Sequence, residues 1–252
     1  MNGRLGGFGW QALGIFALLL LWVFLPGDGD LIPNLGDIAR KAGALIESGD
    51  LGRHLLQSVS RVLAGILIAV VLALVFCLIG FHPAFRGILQ GPIEIMRPVP
   101  PIAWIPVVIL LFGPGGNAAI AIVTLAALFP IVTSVFAAWD GIDETYVLMA
   151  KTLGVERWKL FQRVYVPLLL EGFLIGFRMA FGLAWFSVVA SEMVGSSGGL
   201  GYGIQVSSLN LEMERFFVYL LTIALCGFAM NWLVIAVFQY ACPWQKSGQA
   251  HV

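Results

Sequence analysis

Glu94, Arg97, Arg178 and Glu192 are charged residues set in or beside apolar stretches of this chain. Ionised groups are costly at membrane depth, and are found there paired with one another or facing a water-filled cavity. Glu94 and Arg97 are three residues apart, one helical turn, and Pro98, Pro100 and Pro101 then break the helix. Broken backbone in an apolar layer is tolerated only where protein or a wet cavity satisfies the freed groups. The pair therefore either holds a kinked helix together or lines a path for a charged solute, and both readings stay open. Arg178 follows Pro167 by eleven residues, about 16 Å along a helix, near the middle of a bilayer. It either pairs with Glu171 or Glu94 in a structural role or helps a small anion through. Glu192, Gly199 and Gly201 lie in EMVGSSGGLGYG, a close-approach stretch read as a mobile outer gate.

Other chemistries find no support. HExxH and GxSxG are absent, no Ser-His or aspartyl pairing suggests catalysis, and the glycines neither match GxGxxG nor precede a phosphate-loop lysine. The three cysteines and three histidines are too scattered for a metal site, and no metal or catalytic residue is assigned. LGYG at residues 200–203 overlaps the TVGYG filter of potassium channels but lacks the threonine.

The elements that must position these groups are membrane helices. With 252 residues, 60% hydrophobic, 11% charged and a mean hydropathy of +0.94, this is a polytopic membrane protein, all-α. The zero formal net charge points away from nucleic acid. Six spans are expected, each long enough for a core about 30 Å thick. They cover residues 8–25, 59–80, a broken third ending in 102–112, then 118–138, 168–190 and 216–240. The first is read as uncleaved, because LPGDGD offers no small-residue cleavage site. Residues 1–57 make the first span plus an outer interfacial segment, 58–240 the transmembrane core, and 241–252 a tail. Arg61 is expected to snorkel at the outer end of the second span. Gly172 and Gly176 form a small-xxx-small pair that permits close helix contact.

Residues 140–167, DGIDETYVLMAKTLGVERWKLFQRVYVP, are the one long polar interruption and hold eight of the twenty-eight formal charges. Asp143, Glu144 and Thr145 suit a helix start. Gly154 suits a left-handed stop. Ala150 lets a neighbouring surface approach closely. Beyond Val155 a second amphipathic turn carries Trp158, Phe161 and Val164 or Tyr165 on one side, and Pro167 is expected in the first turn of the next helix.

From Ala150 to Pro167 the spacing resembles the cytoplasmic loop of the permease subunits of ATP-binding cassette importers: Glu-Ala-Ala, three residues, Gly, nine residues, Ile, one residue, Leu-Pro. Leu148 replaces the family's Glu, and Met149 its first Ala. GDLGRHLLQSVSRVLAG (49–65), RPVPPIAWIPVVILLFG (97–113) and GFRMAFGLAWFSVVASEMVGSSGGLGYGI (176–204) are similar to the branch serving nitrate, sulfonate, taurine and bicarbonate.

The resemblance implies a type I importer permease with a coupling helix between its fourth and fifth spans, and no enzyme activity of its own. It implies a second permease copy, two cytoplasmic ATPase subunits that bind ATP and Mg, and an extracytoplasmic binding protein. Glu144, Leu148, Met149, Ala150, Gly154, Val155, Trp158 and Pro167 would meet the ATPase. This chain would bind no cofactor. The localisation implied is a bacterial inner membrane with both termini cytoplasmic. On that orientation seven Lys or Arg lie inside (4, 86, 151, 157, 159, 163, 246) and four outside (40, 41, 53, 215). The competing class is a six-helix secondary transporter or channel without an ATPase, but no inverted halves are visible and a channel has no use for the loop.

Overall fold

The computed structural model describes residues 33–241, in which every regular element is helical. An amphipathic helix, α1 (Leu35–Glu47), ends at Gly49, whose φ of +76° reverses the chain into α2 (Asp50–Gly80). The second span thus starts nine residues before the expected 59, in a stretch whose His54 and Ser58 are buried against protein.

Next comes α3 (Pro83–Met96), a corner at 97–100, a 3₁₀ turn (Pro101–Trp104) and α4 (Ile105–Phe112). The halves meet at 93°, so the proline-rich third segment is a broken span or a re-entrant one. The fourth span is α5 (Gly116–Asp140). The polar interruption forms α6 (Glu144–Thr152) and α7 (Arg157–Leu160), and a π-turn (Phe161–Tyr165) leads into α8 (Val166–Gly195).

Pro167 lies in the first turn of α8, as expected. Helical backbone runs unbroken from Trp158 to Gly195, and the π-turn just before Pro167 loosens the ladder where its missing N–H and its ring would clash. After α8 the short α9 (Leu200–Leu209) and α10 (Met213–Ala241) complete the fold. Residues 200–203 are helical, so their carbonyls are not arranged as a filter. Among the described residues four helices are long and apolar enough to cross a membrane, five if the bent pair counts as one span. The expected span at 8–25 lies outside the described residues.

The packing centre is α5, which lies along α8 and also against α2. Small and β-branched residues make this seam: Val62, Ala69 and Ala73 of α2, Val123, Ala127 and Ile131 of α5, and Ala180, Ala184 and Val188 of α8 are all buried. Between helices in lipid, close van der Waals contact does the work that hydrophobic burial does in water.

Gly172 and Gly176 sit in this seam as their spacing predicts. A Cβ at Gly176 would meet the Pro130 carbonyl oxygen at 2.7 Å and the Ile131 Cα at 2.9 Å, both backbone atoms that cannot swing away. Gly176→Leu is expected to cost about 1–3 kcal/mol by forcing α5 and α8 apart. The check is a lowered thermal midpoint of the purified protein, with Gly182→Leu, where no atom lies within 4 Å of the added Cβ, as the neutral comparison.

Candidate functional site

Three places gather the polar groups. The first is at the end of the bundle where α2 begins and α8 ends. Glu192 is 0% exposed, and Arg61 Nη1 approaches its Oε1 at 2.7 Å from a side chain 12% exposed. Ser58 Oγ donates to the same carboxylate at 2.7 Å, and the Gly201 N–H donates at 3.0 Å. Arg61 also donates to the Gly198 carbonyl at 2.6 Å.

His54 Nδ1 accepts the Gly199 N–H at 2.9 Å, and Ser58 Oγ accepts the Leu200 N–H at 2.8 Å. Gly199 is left-handed at φ +108°, and any Cβ there would collide with the Glu192 carboxylate. His54, Ser58 and Arg61 recur at helical spacing along one face of α2, so one helix face grips residues 198–200, while Glu192 holds the Gly201 N–H. Arg61 does not snorkel. Its guanidinium turns inward because a sealed carboxylate without a counter-charge would cost far more than bending the side chain. Glu192, Gly199 and Gly201 therefore form a closed clasp in this state, and Arg61, Ser58 and His54 are partners that the sequence reading did not assign.

The second place is the knuckle of α6 and α7. The Thr145 N–H donates to Asp143 Oδ1 at 2.8 Å, and hydrogen bonds from Thr145 hold this carboxyl below the usual aspartate range. Gly154 has φ +71°, with the Val155 N–H returning to the Ala150 carbonyl at 3.0 Å, as a glycine-terminated helix requires. Leu148, Met149, Leu153 (81%) and Trp158 (66%) are exposed large apolar side chains grouped around that turn.

From the knuckle a ladder of rings leads into the bundle. Trp158 stacks on Phe161, Phe161 on Tyr165, Tyr165 on Trp139 of α5 at 5.2 Å, and Trp139 on Phe81 beyond α2 at 4.3 Å. Arg86 ties the same end by a 2.6 Å bond to Asp140. Trp158, Phe161 and Tyr165 were legible as one face of an amphipathic turn; Trp139 and Phe81 come from other elements and were not.

The third place is the proline corner. Arg97 lines a cavity of about 310 Å³ with Trp104, Phe129, Thr133, Ser134 and Met179. Glu94 and Arg97 make no salt bridge with one another, and both are exposed with Pro98. Arg178 does not pair with Glu94; it is exposed on α8 beside Met179. The buried ion pair of α8 belongs to Glu192 instead.

The family model for the inner-membrane component of binding-protein-dependent transport systems matches residues 62–239. The chain belongs to this family. It is 31% identical over 98% of its length to a probable ABC transporter permease protein of Brucella abortus, 99% of which is covered. To the taurine transport permease TauC of Escherichia coli it is 29% identical, over 90% of this chain and 82% of that one. To the nitrate import permease NrtB of Synechococcus elongatus it is 29% identical, over 78% and 72%. The inward-facing methionine ABC transporter MetNI shares the fold, with a TM-score of 0.63 at 17% identity over 75% of this chain and 95% of that one. The chain is thus an importer permease subunit of the type I architecture.

Glu192→Ala in this permease strands the Arg61 guanidinium in a sealed site, and a loss of about 3–5 kcal/mol is expected. Adding Arg61→Met to it should recover part of the loss, since the two residues act as one unit. Thermal unfolding of the single and double variants reads both effects.

Proposed function

We propose that this permease carries a small anionic or zwitterionic solute of the sulfonate, taurine or nitrate type into the cytoplasm, driven by a separate ATPase that grips the knuckle. The observation that carries the reading is the knuckle itself. Leu148, Met149, Leu153 and Trp158 are apolar side chains left uncovered by this chain. A contiguous apolar patch of this kind suits a protein partner rather than water. Leu148 in place of a glutamate makes the contact apolar at that position.

Two copies of the chain enclose the path, each contributing one knuckle to one ATPase, and a binding protein presents the solute at the opposite end, beside the 198–201 clasp. The excess of Lys and Arg at the knuckle end supports a cytoplasmic assignment for it and for both termini. ATP and Mg belong to the ATPase. Drive requires only that its ATP-bound form favour one of two permease states. The ring ladder offers a stiff route for that preference, because stacked aromatics on α5, α7 and the π-turn cannot slide independently. Sulfonate and nitrate solutes are supported by the names of the taurine and nitrate permeases it resembles.

Gly154→Val is expected to abolish uptake while membrane insertion persists, because a β-branched residue at φ +71° is strongly strained. Leu153→Asp should instead remove the ATPase from the purified complex. Normal uptake by the first variant, together with ATPase retained by the second, would refute the knuckle's role. Trp139→Ala tests the ladder: the ATPase should remain bound and hydrolyse ATP while uptake falls at least tenfold.

A further inference from the structure

We infer that the cavity at the proline corner is a binding subsite of the permease itself for the oxyanion group of its solute. The inference rests on the importer reading above and assigns side chains to it. The cavity, about 310 Å³, is walled by α5, α8 and the corner at 97–101. At about 30 Å³ per water it has room for roughly ten waters or one small organic anion.

Its only ionised lining residue is Arg97, which makes no salt bridge among the described residues. An arginine without a carboxylate, beside a cavity in an apolar layer, is a charge awaiting a partner. The neighbouring donors agree with it. The Trp104 indole N–H is shut away from water and has no acceptor, an arrangement that carries a desolvation penalty until an acceptor reaches it. Ser134 lines the same cavity.

No carboxylate lines this cavity; Glu171 lies in an adjoining one of about 340 Å³ that shares Ser134 and Ala137 with it. A planar guanidinium with an indole N–H and a hydroxyl suits an acceptor with several oxygens, a sulfonate or nitrate, better than a cation or a neutral amide. Depth argues for a transported solute rather than a lipid headgroup. Pro130 in the wall is fourteen residues from one end of α5 and ten from the other, about 21 Å and 15 Å along the helix.

Trifluoromethanesulfonate is a suitable probe, since its fluorine resonance broadens on even weak binding. Titrated against the purified permease–ATPase complex in phospholipid-free detergent, it should saturate, whereas tetramethylammonium should not compete. Arg97→Gln is expected to raise its dissociation constant at least about tenfold, and Trp104→Phe, which keeps an aromatic ring but loses the indole N–H with its five-membered ring, several-fold. If Arg97→Gln does not fold, Trp104→Phe decides alone.

Unsaturable broadening with the unaltered protein, or equal affinity in the variants, overturns the inference, as does displacement of the probe by added phosphatidylglycerol. Failure of the ATPase to co-purify would count against the importer reading instead, and the titration on the permease alone would still decide the subsite.

Discussion

A carboxylate with no solvent exposure at the end of a membrane span imposes the strictest condition in this molecule. Glu192 must be met by a counter-charge and by donors for its remaining lone pairs, and the chain supplies Arg61, Ser58 and the Gly201 N–H. Meeting that condition brings α2, α8 and the start of α9 to one point. It also accounts for Gly199, because only a residue without a Cβ lets the turn pass over the carboxylate. A buried ion pair is seldom a large net source of stability, but it is intolerant of alternative arrangements, and here it specifies how one end of the bundle closes.

The opposite end is organised by shape. Gly172 and Gly176 let α8 lie against the backbone of α5, so the two helices pack as one body. Rings on α7, the π-turn, α5 and the end of α2 then join that body to the knuckle. The π-turn joins α7 to α8 without a loop, so the backbone from Trp158 to Gly195 is helical throughout. Between the two ends lies the proline corner, where a 93° break opens a cavity at mid-depth and leaves Arg97 at its edge. A charge clasp, a mid-depth cavity and an aromatic linkage thus succeed one another along the same pair of helices.

Much of this was legible in the chain as written. Long apolar runs announce spans because lipid offers no hydrogen bonds and only helices satisfy their own backbone. Gly154 announces a left-handed stop, Gly172 and Gly176 announce a close seam, and Pro98, Pro100 and Pro101 announce a break. Each is a local rule, acting within one or two helical turns, so sequence order is sufficient to read it. The knuckle was recognisable on the same grounds, its spacing from Ala150 to Pro167 being a property of one continuous segment.

What only the tertiary structure decided is which distant groups meet. Arg61 and Glu192 are separated by 131 positions, and nothing within either helix distinguishes a snorkelling arginine from a clasped one. Glu94 and Arg97, one turn apart, invited a pairing that did not form, while Arg97 and Trp104 were brought to a common cavity by the bend between them. Helix propensity, capping and hydrophobic length are properties of a chain; the partner of a charge is a property of the packing, because the field that selects it falls off over a few ångströms in space and takes no account of sequence separation.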